Sequence, residues 1–207
     1  MKEVSTGPTR RDLQREETHR RVYLAALEIF RRDGVDACRI EDIVALAGVS
    51  RGSFYFHFPT KDDVLALAYA EAVADLVRHT DRLPDDVEIV VVLRSVVEHT
   101  AARWQGDPRI FVHVGLHALR SVTRTFPSGE REPIRLALEL RFARALALGE
   151  IVSPLPPALL ADIFLLSTFT ALLAWSGAPR LPLAPVLDGV IGLFLHGAHG
   201  PVIAGPR

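Results

Sequence analysis

A nine-residue segment in about the first third of the chain combines hydrogen-bond donors with aromatic rings. Its sequence, SRGSFYFHF at residues 50–58, holds one arginine, two serines, a tyrosine and a histidine. An arginine presents two parallel N–H groups that match a guanine edge, and serine or tyrosine hydroxyls reach phosphates or bases. The N-terminus of a helix adds free backbone N–H groups for a phosphate. A helix that serves only a hydrophobic core does not need these donors, so the segment is typical of a helix that enters the major groove of DNA.

Three helices, a longer one followed by two short ones, are predicted to position this segment. Apolar residues recur at helical spacing from about residue 16 to residue 33, and again over residues 40–47. Gly48 allows a tight turn after the second helix, and Ser50 is well placed to cap the third. Pro59 ends the third helix, because a proline disfavours α geometry in the residue before it. Two short helices joined by a tight turn after a longer helix form a helix-turn-helix pattern.

Residues 22–67 resemble the DNA-binding region of TetR/AcrR-family transcriptional regulators, most clearly in the string AGVSRGSFYFHFPTK of residues 47–61. The signature of that family ends in a Tyr–aromatic–His–Phe–x–x–Lys string, which this chain matches almost continuously. The resemblance covers roughly the first third of the protein. It implies an all-α fold with an N-terminal three-helix helix-turn-helix DNA-binding domain, residues 1–61, and a C-terminal helical ligand-binding and dimerisation domain, residues 62–207.

The resemblance also implies roles for individual residues at the DNA interface. The third helix would lie in the major groove, and His57 and Lys61 would meet phosphates. Phe56 stands where the family often has tyrosine and can offer only van der Waals contact. The residues expected at the DNA interface are Arg39, Glu41, Ser50, Arg51, Gly52, Ser53, Tyr55, Phe56, His57 and Lys61.

Two positions of the second helix leave alternatives open. Arg39 stands where relatives usually carry a serine or threonine cap, and it is a poor capping residue that could instead bring a charge to a phosphate. Glu41 can accept a hydrogen bond from a cytosine amino group, or it can simply favour the positive end of the helix dipole. We expect Phe54 and Phe58 to lie in the core, where they fix the third helix against the first.

Beyond residue 61 the chain reads as longer apolar helices. They are predicted near residues 62–80, 85–104, 108–120, 130–148, 157–176 and 184–197, with proline- and glycine-containing breaks between them. Residues 163–179 carry no charge. A membrane-spanning helix needs about 20 apolar residues, and this run contains serines and threonines and ends in Gly-Ala-Pro. We therefore expect a helix that is buried in protein or at a subunit interface, and no membrane contact.

In the resembling family, the C-terminal helices bind a small molecule, which alters the spacing of the two DNA-reading units. Aromatic and histidine side chains of the middle helices are the candidate ligand contacts, although each also fits an ordinary core position. These candidates are Trp104, Phe111, His113, His117, Phe126 and Phe142. His113 and His117 are four residues apart, which is metal-ligand spacing, but no third ligand is evident nearby and no metal is expected.

The last two helices are expected to form a dimer interface. In a lone chain they would expose a large apolar surface, which soluble monomers rarely do. Pairing two copies into a four-helix bundle would bury that surface about a twofold axis. The expected interface residues are Leu159, Ile163, Leu166, Phe169, Leu173, Leu187, Ile191, Phe194 and Leu195. The alternative is that both helices belong to the core of a single chain.

The composition and the missing motifs narrow the class of protein. The 207 residues are 49% hydrophobic with a net charge of −1, so the chain can bury a sizeable core and its overall charge favours no partner. One cysteine excludes an intrachain disulfide framework, and the first residues lack the apolar run of a secretory signal, so we expect a cytoplasmic protein. The sequence contains no P-loop and no strand-associated GxGxxG pattern, and we expect no enzyme.

Together these features predict a homodimeric one-component transcriptional regulator without a cofactor. Its partners would be double-stranded operator DNA, a second copy of itself and an unidentified small-molecule effector. The regulator is predicted to be a repressor that a small, mostly apolar ligand releases from its operator. The alternatives are a DNA-binding protein that needs no ligand and, more remotely, an enzyme with scattered catalytic residues.

Overall fold

The computed structural model of the protein describes residues 9–125, 133–177 and 183–198, with side chains described except at 118–125 and 197–198. Within these ranges every regular element is an α-helix, which confirms the all-α prediction. The helices are α1 Arg10–Asp33, α2 Ile40–Ala47, α3 Arg51–His57, α4 Lys61–Asp81, α5 Ile89–Trp104, α6 Pro108–Thr125, α7 Pro133–Leu148, α8 Pro157–Gly177 and α9 Leu183–Ala198. They form two compact units, one up to Leu67 and one from Ala68 onward.

Helix α1 begins at Arg10, earlier than the predicted start near residue 16. The reason is a capping box. The Thr9 hydroxyl accepts a hydrogen bond from the backbone N–H of Asp12 at 3.2 Å, and the Asp12 carboxylate accepts one from the N–H of Thr9 at 3.0 Å. The Thr9 hydroxyl also donates to the Asp12 carboxylate at 2.6 Å, and this bond, followed by the one from the Thr9 N–H, lowers the pKa of the Asp12 carboxyl. The arginines that follow Thr9 therefore lie on a helix and not on an extended arm.

The first unit is built on a core shared by α1, α2 and α3. Phe30 of α1, Ile43 of α2 and Phe54 of α3 are fully buried. Phe54 and Phe58 lie inside this core, as predicted. Gly48 has a φ of 64° in the turn between α2 and α3, a left-handed conformation that glycine adopts without strain.

The single cysteine also belongs to the first unit. Cys38 lies in the connection between α1 and α2 and is only 5% exposed. Burial raises the pKa of its thiol, which keeps the group protonated. The Cys38 sulfur lies 3.6 Å from the backbone oxygen of Arg39. These features make Cys38 a small apolar residue of the core.

The second unit packs α8 against α6, α7 and α9, and α9 against α5. Arginines of α7 hold the ends of neighbouring helices: Arg141 donates to the backbone oxygens of Leu83 and Pro84, at 2.8 and 2.7 Å. Glu150 accepts from the backbone N–H of Ile89 at 2.7 Å and so caps the start of α5. These bonds satisfy backbone groups that would otherwise lack partners at the helix ends.

Helix α8 is, among the described residues, the one helix long and apolar enough to cross a membrane by length and composition. A core helix of a globular protein passes the same test. Asp162 of α8 forms an ion pair with Arg135 of α7, and Leu160 and Phe164 lie in the core of the unit. These contacts are those of a helix packed within a helical domain.

Candidate functional site

Helix α3 presents one exposed face that gathers most of the residues predicted to contact DNA. Arg51, Gly52, Tyr55 and Phe56 are exposed, while Ser53 and His57 are half-buried. The helical period explains this face, because Phe54 points into the core and so directs the residues on either side of it outward. Ser50 caps the helix by accepting a hydrogen bond from the Ser53 N–H at 3.1 Å, as predicted.

Arg51 is held in place by two neighbours. Its Nη1 atom lies 2.8 Å from Oε1 of Glu41, an ion pair that joins the start of α2 to the start of α3. Its Cζ atom lies 6.0 Å from the centre of the Tyr55 ring. A hydrogen bond with Tyr55 and the charge of Glu41 raise the pKa of the Arg51 guanidinium. The sequence does not predict this pairing of Glu41 with Arg51, which the fold of α2 and α3 brings about.

Phe56 is the most exposed aromatic side chain of α3, with 65% of its surface accessible. Arg15 of α1 lies over its ring, with the guanidinium carbon 5.1 Å from the ring centre. This is a cation–π contact, and it places a further positive charge beside α3. Arg15 was not predicted as a site residue, because only the packing of α1 against α3 brings it close to Phe56.

His57 lies at the edge of the α3 face against α1. Its ring centre is 5.6 Å from that of His19, and the His19 ring stacks on Phe58 at 4.6 Å. Burial, followed by the nearby His19 and Arg15, lowers the pKa of the His57 imidazole. The neutral ring is therefore favoured, so His57 is better suited to donate an ordinary hydrogen bond to a phosphate than to supply a charge.

Lys61 has partners within the first unit, and its predicted phosphate contact stays a prediction. Its ammonium group donates to the backbone oxygens of Val35 and Cys38, at 2.8 and 3.0 Å. These two bonds occupy two of the three N–H donors of the group and fix the start of α4 to the connection between α1 and α2. Replacing Lys61 would therefore disturb the fold of the first unit as well as its charge.

Arg39 precedes α2 and is exposed, and its side chain makes no capping hydrogen bond. This agrees with its poor capping tendency. Its side chain is accessible to a phosphate, and that contact stays a prediction.

Gly52 is a glycine that the fold of the first unit does not require. A Cβ atom added there would meet only the Ser50 hydroxyl oxygen, at 3.8 Å, and the residue has no positive φ. Gly52→Ala is therefore expected to raise the free energy of unfolding by about 0.5–1 kcal/mol, as alanine usually does in a helix. We expect the same change to weaken DNA binding, because the methyl group would occupy space that a phosphate backbone needs. Denaturant unfolding and fluorescence anisotropy would measure the two effects, and an unchanged DNA affinity would remove Gly52 from the interface.

The candidate ligand contacts do not form one cluster in the second unit. Trp104, Phe111 and Phe169 form an aromatic row with ring centres 5.7 Å apart at each step. Phe142 instead packs against Phe164 and Phe194 in a separate part of the core. Phe142 is thus buried in the core, and its contact with a ligand stays a prediction.

The remaining ligand candidates are placed as follows. His113 and His117 are half-buried on α6, and the His117 ring lies 6.4 Å from that of Tyr69. Phe126 lies outside the described residues. Among the residues that the structure describes, no group of three or more histidine, cysteine, aspartate or glutamate side chains could hold a metal ion.

The predicted dimer interface stays a prediction, except that the orientation of α9 corrects two of its residues. Leu187 and Ile191 are buried within the chain, and Phe194 packs against Phe142 and Phe164. Phe169, Leu173 and Leu195 are partly buried against the same core. The apolar positions that stay exposed are Leu159, Ile163 and Leu166 on α8 and Leu193 on α9. We call these four residues the α8–α9 stripe.

A polar cluster between α4 and α5 was not found from the sequence. The rings of His79 and His99 stack with their centres 4.1 Å apart. His79 hydrogen-bonds Ser95 at 2.7 Å, and His99 hydrogen-bonds Asp75 at 2.9 Å. The bond from His99 lowers the pKa of the Asp75 carboxyl. No short sequence motif links these residues, so only the pairing of the two helices reveals the cluster.

Comparisons with known proteins agree with a DNA-binding first unit. Residues 23–68 match the family model described as bacterial regulatory proteins, tetR family. The chain is also 44% identical to the HTH-type transcriptional regulator SrpR of Pseudomonas putida over 55 residues, which is 27% of this chain and 26% of that protein. The chain thus spans about a quarter of the length of this curated relative.

Two solved structures share the fold of nearly the whole chain. One is FadR of Thermus thermophilus, a TetR-family transcriptional repressor in complex with lauroyl-CoA, at a TM-score of 0.69 and 23% identity, covering 91% of this chain and 99% of that one. The other is the transcriptional regulator FadR of Bacillus subtilis in complex with stearoyl-CoA, at a TM-score of 0.69 and 18% identity, covering 87% and 100%. At these identities the likeness establishes the fold.

Proposed function

We propose that this chain, which belongs to the TetR family of bacterial regulatory proteins, is a homodimeric repressor that a small, mostly apolar molecule releases from its operator. The single observation that carries the proposal is the exposed face of α3, where Arg51, Tyr55 and Phe56 stand clear of the core. Guanidinium and hydroxyl donors on one exposed helix face suit base edges and phosphates in a major groove.

The proposed functions divide the chain at the start of α4. Residues 1–61 would bind DNA, and residues 62–207 would bind the effector and dimerise. The boundary between the two compact units falls within α4, between Leu67 and Ala68. The proposed place of action is the cytoplasm, where a bacterial operator is found. The proposal involves no catalysis, cofactor or metal ion.

The effector proposal rests on the aromatic row and on the structural neighbours. Trp104, Phe111 and Phe169 come from three helices of the second unit and contact one another ring against ring, and we propose them as the contacts of an apolar molecule. Both FadR structures hold an acyl-CoA. We therefore propose a molecule with an extended apolar chain, with lauroyl-CoA as the first to be tested.

The operator would be obtained by selecting duplexes from a random library with the purified protein. We expect the selected duplex to bind at least about 10³-fold more tightly than random DNA of the same length. Saturating lauroyl-CoA should then lower the affinity for the selected duplex by about 5- to 150-fold, because an effector of this kind contributes a coupling of 1–3 kcal/mol. Anisotropy titrations with and without the compound would measure this.

Two controls separate the parts of the proposal. Coenzyme A without an acyl chain should leave the affinity for the selected duplex unchanged. If lauroyl-CoA also leaves it unchanged, the acyl class of effector is wrong, and native mass spectrometry of the purified protein would identify any retained molecule. If no duplex is enriched over random DNA, the operator-binding function itself is refuted.

A further inference from the structure

We propose that Glu41 is a positioning residue for DNA recognition, which holds the Arg51 guanidinium for one base contact and weakens binding to DNA that lacks that base. The inference rests on the proposed operator binding. It concerns a residue whose carboxylate would otherwise be a liability, since it stands on the surface that faces a polyanion.

The geometry of the pair supports this role. Glu41 is the second residue of α2 and Arg51 is the first residue of α3, so the ion pair crosses the turn of the helix-turn-helix. The Nη1–Oε1 distance is 2.8 Å, and both side chains are more than half exposed. An exposed arginine has a long flexible stem, and a partner on either side reduces the conformations that it samples. Tyr55 is the second partner, so contacts with both Glu41 and Tyr55 restrict the conformations of the Arg51 side chain on the α3 face.

The pairing leaves Arg51 able to read a base. A guanidinium has five N–H donors, and a bidentate contact with guanine uses two of them. The ion pair with Glu41 is at Nη1, and the hydrogen bond with Tyr55 takes one further donor. Three of the five N–H donors are therefore left, which is enough for the two that a guanine edge needs, while the carboxylate keeps its place.

The charge of Glu41 also affects the affinity for operator DNA and for non-specific DNA differently. On DNA without the matching base, the Glu41 carboxylate neutralises Arg51, so this arginine adds no net attraction to the phosphates. On the operator, the fork to the base is a directional contact that survives this neutralisation. Glu41 would thus lower non-specific affinity more than specific affinity, which raises the ratio of the two.

The test compares Glu41→Gln with Glu28→Gln, its matched control. Glu28 is an exposed carboxylate of α1 in an ion pair with Arg31 at 3.8 Å, so both variants remove one surface charge of the first unit from an arginine pair. Each variant is titrated with the duplex selected by the wild-type protein and with random DNA of equal length. Glu41→Gln should raise the affinity for random DNA by about threefold to tenfold. It should also steepen the salt dependence of that affinity by about one unit, because Arg51 can then neutralise one more phosphate, which releases one more counterion. Its affinity for the selected duplex should change by less, so the specificity ratio should fall.

Arg51→Ala provides the second arm of the experiment. If Glu41 acts through Arg51, then Glu41→Gln should not change the specificity ratio in the Arg51→Ala background. Substituting each base pair of the selected duplex in turn should show that Glu41→Gln and Arg51→Ala relax the preference at the same base pair. A general effect of charge or a purely structural role would not produce this shared position.

Two results would overturn the positioning role. In the first, Glu41→Gln and Glu28→Gln alter the specificity ratio by the same factor. In the second, Glu41→Gln still alters the specificity ratio in the Arg51→Ala background. Because both side chains of the pair are exposed, the variants should fold, and their thermal unfolding should match that of the wild type within a few degrees. A wild-type protein that selects no duplex would refute operator binding itself, which is a different outcome from an unchanged ratio.

Discussion

Leu166→Glu is expected to give a folded monomer that no longer binds an operator with two half-sites. Leu166 is the last of the three large apolar residues exposed on α8, about two turns after Leu159 and one turn after Ile163, and is itself 54% exposed in the single chain. In a dimer built on the α8–α9 stripe, the new carboxylate would be buried without a partner, at a cost of several kcal/mol (about 2–7 kcal/mol for a polar group and more for a charge). Sedimentation velocity would report the mass, and circular dichroism the fold.

Two further substitutions make this prediction specific. Leu140→Glu on α7 introduces the same change at a residue that is 64% exposed and lies outside the stripe, so this variant should stay dimeric. Phe194→Glu should instead destabilise the chain itself, since Phe194 packs against Phe142 and Phe164. A Leu166→Glu protein that sediments as a folded dimer would place the interface elsewhere.

Gly115→Ala is expected to lower the free energy of unfolding by about 1–3 kcal/mol, the usual cost of overpacking a core. The aromatic ring of Phe169 already occupies the space beside Gly115, and a Cβ atom would overlap its Cε2 and Cζ atoms. Gly115→Trp, which would fill an effector cavity if the residue lined one, is therefore expected to prevent the second unit from folding. Urea unfolding of the purified variants would measure both effects.

Phe169→Leu tests whether overlap with the Phe169 ring causes the loss of stability in Gly115→Ala. If the overlap with the ring is responsible, combining Gly115→Ala with Phe169→Leu should cost less than the sum of the two single changes. Gly52→Ala is the matched control, because the same added methyl group meets only the Ser50 hydroxyl oxygen, at 3.8 Å, in α3. Additive costs for the pair would show that the two residues do not share this contact.

Local signals explain which helix ends could be predicted from the sequence. The left-handed Gly48, the Ser50 cap and Pro59 act on their immediate neighbours, so α2 and α3 begin and end where these residues predicted. The Thr9–Asp12 capping box is also local, and attention to that spacing would have placed the start of α1 correctly.

Contacts between distant residues explain what could not be predicted. The hydrogen bonds of Lys61 reach residues 23 and 26 positions away, and a lysine in a recognised motif says nothing about such partners. In α8 and α9 the hydrophobic residues surround much of each helix, so periodicity could not tell which face turns inward. Leu187 and Ile191 were placed at the interface for this reason, and their burial within the chain follows from packing alone.

The burial of Cys38 has a practical consequence for labelling chemistry. The chain has one cysteine, and it is enclosed in the core with its thiol held in the protonated form. Maleimides and iodoacetamides react with accessible thiolates, so the native protein should resist them while it stays folded. A cysteine introduced on an exposed helix face would then carry a fluorophore or spin label alone, without first removing the native residue.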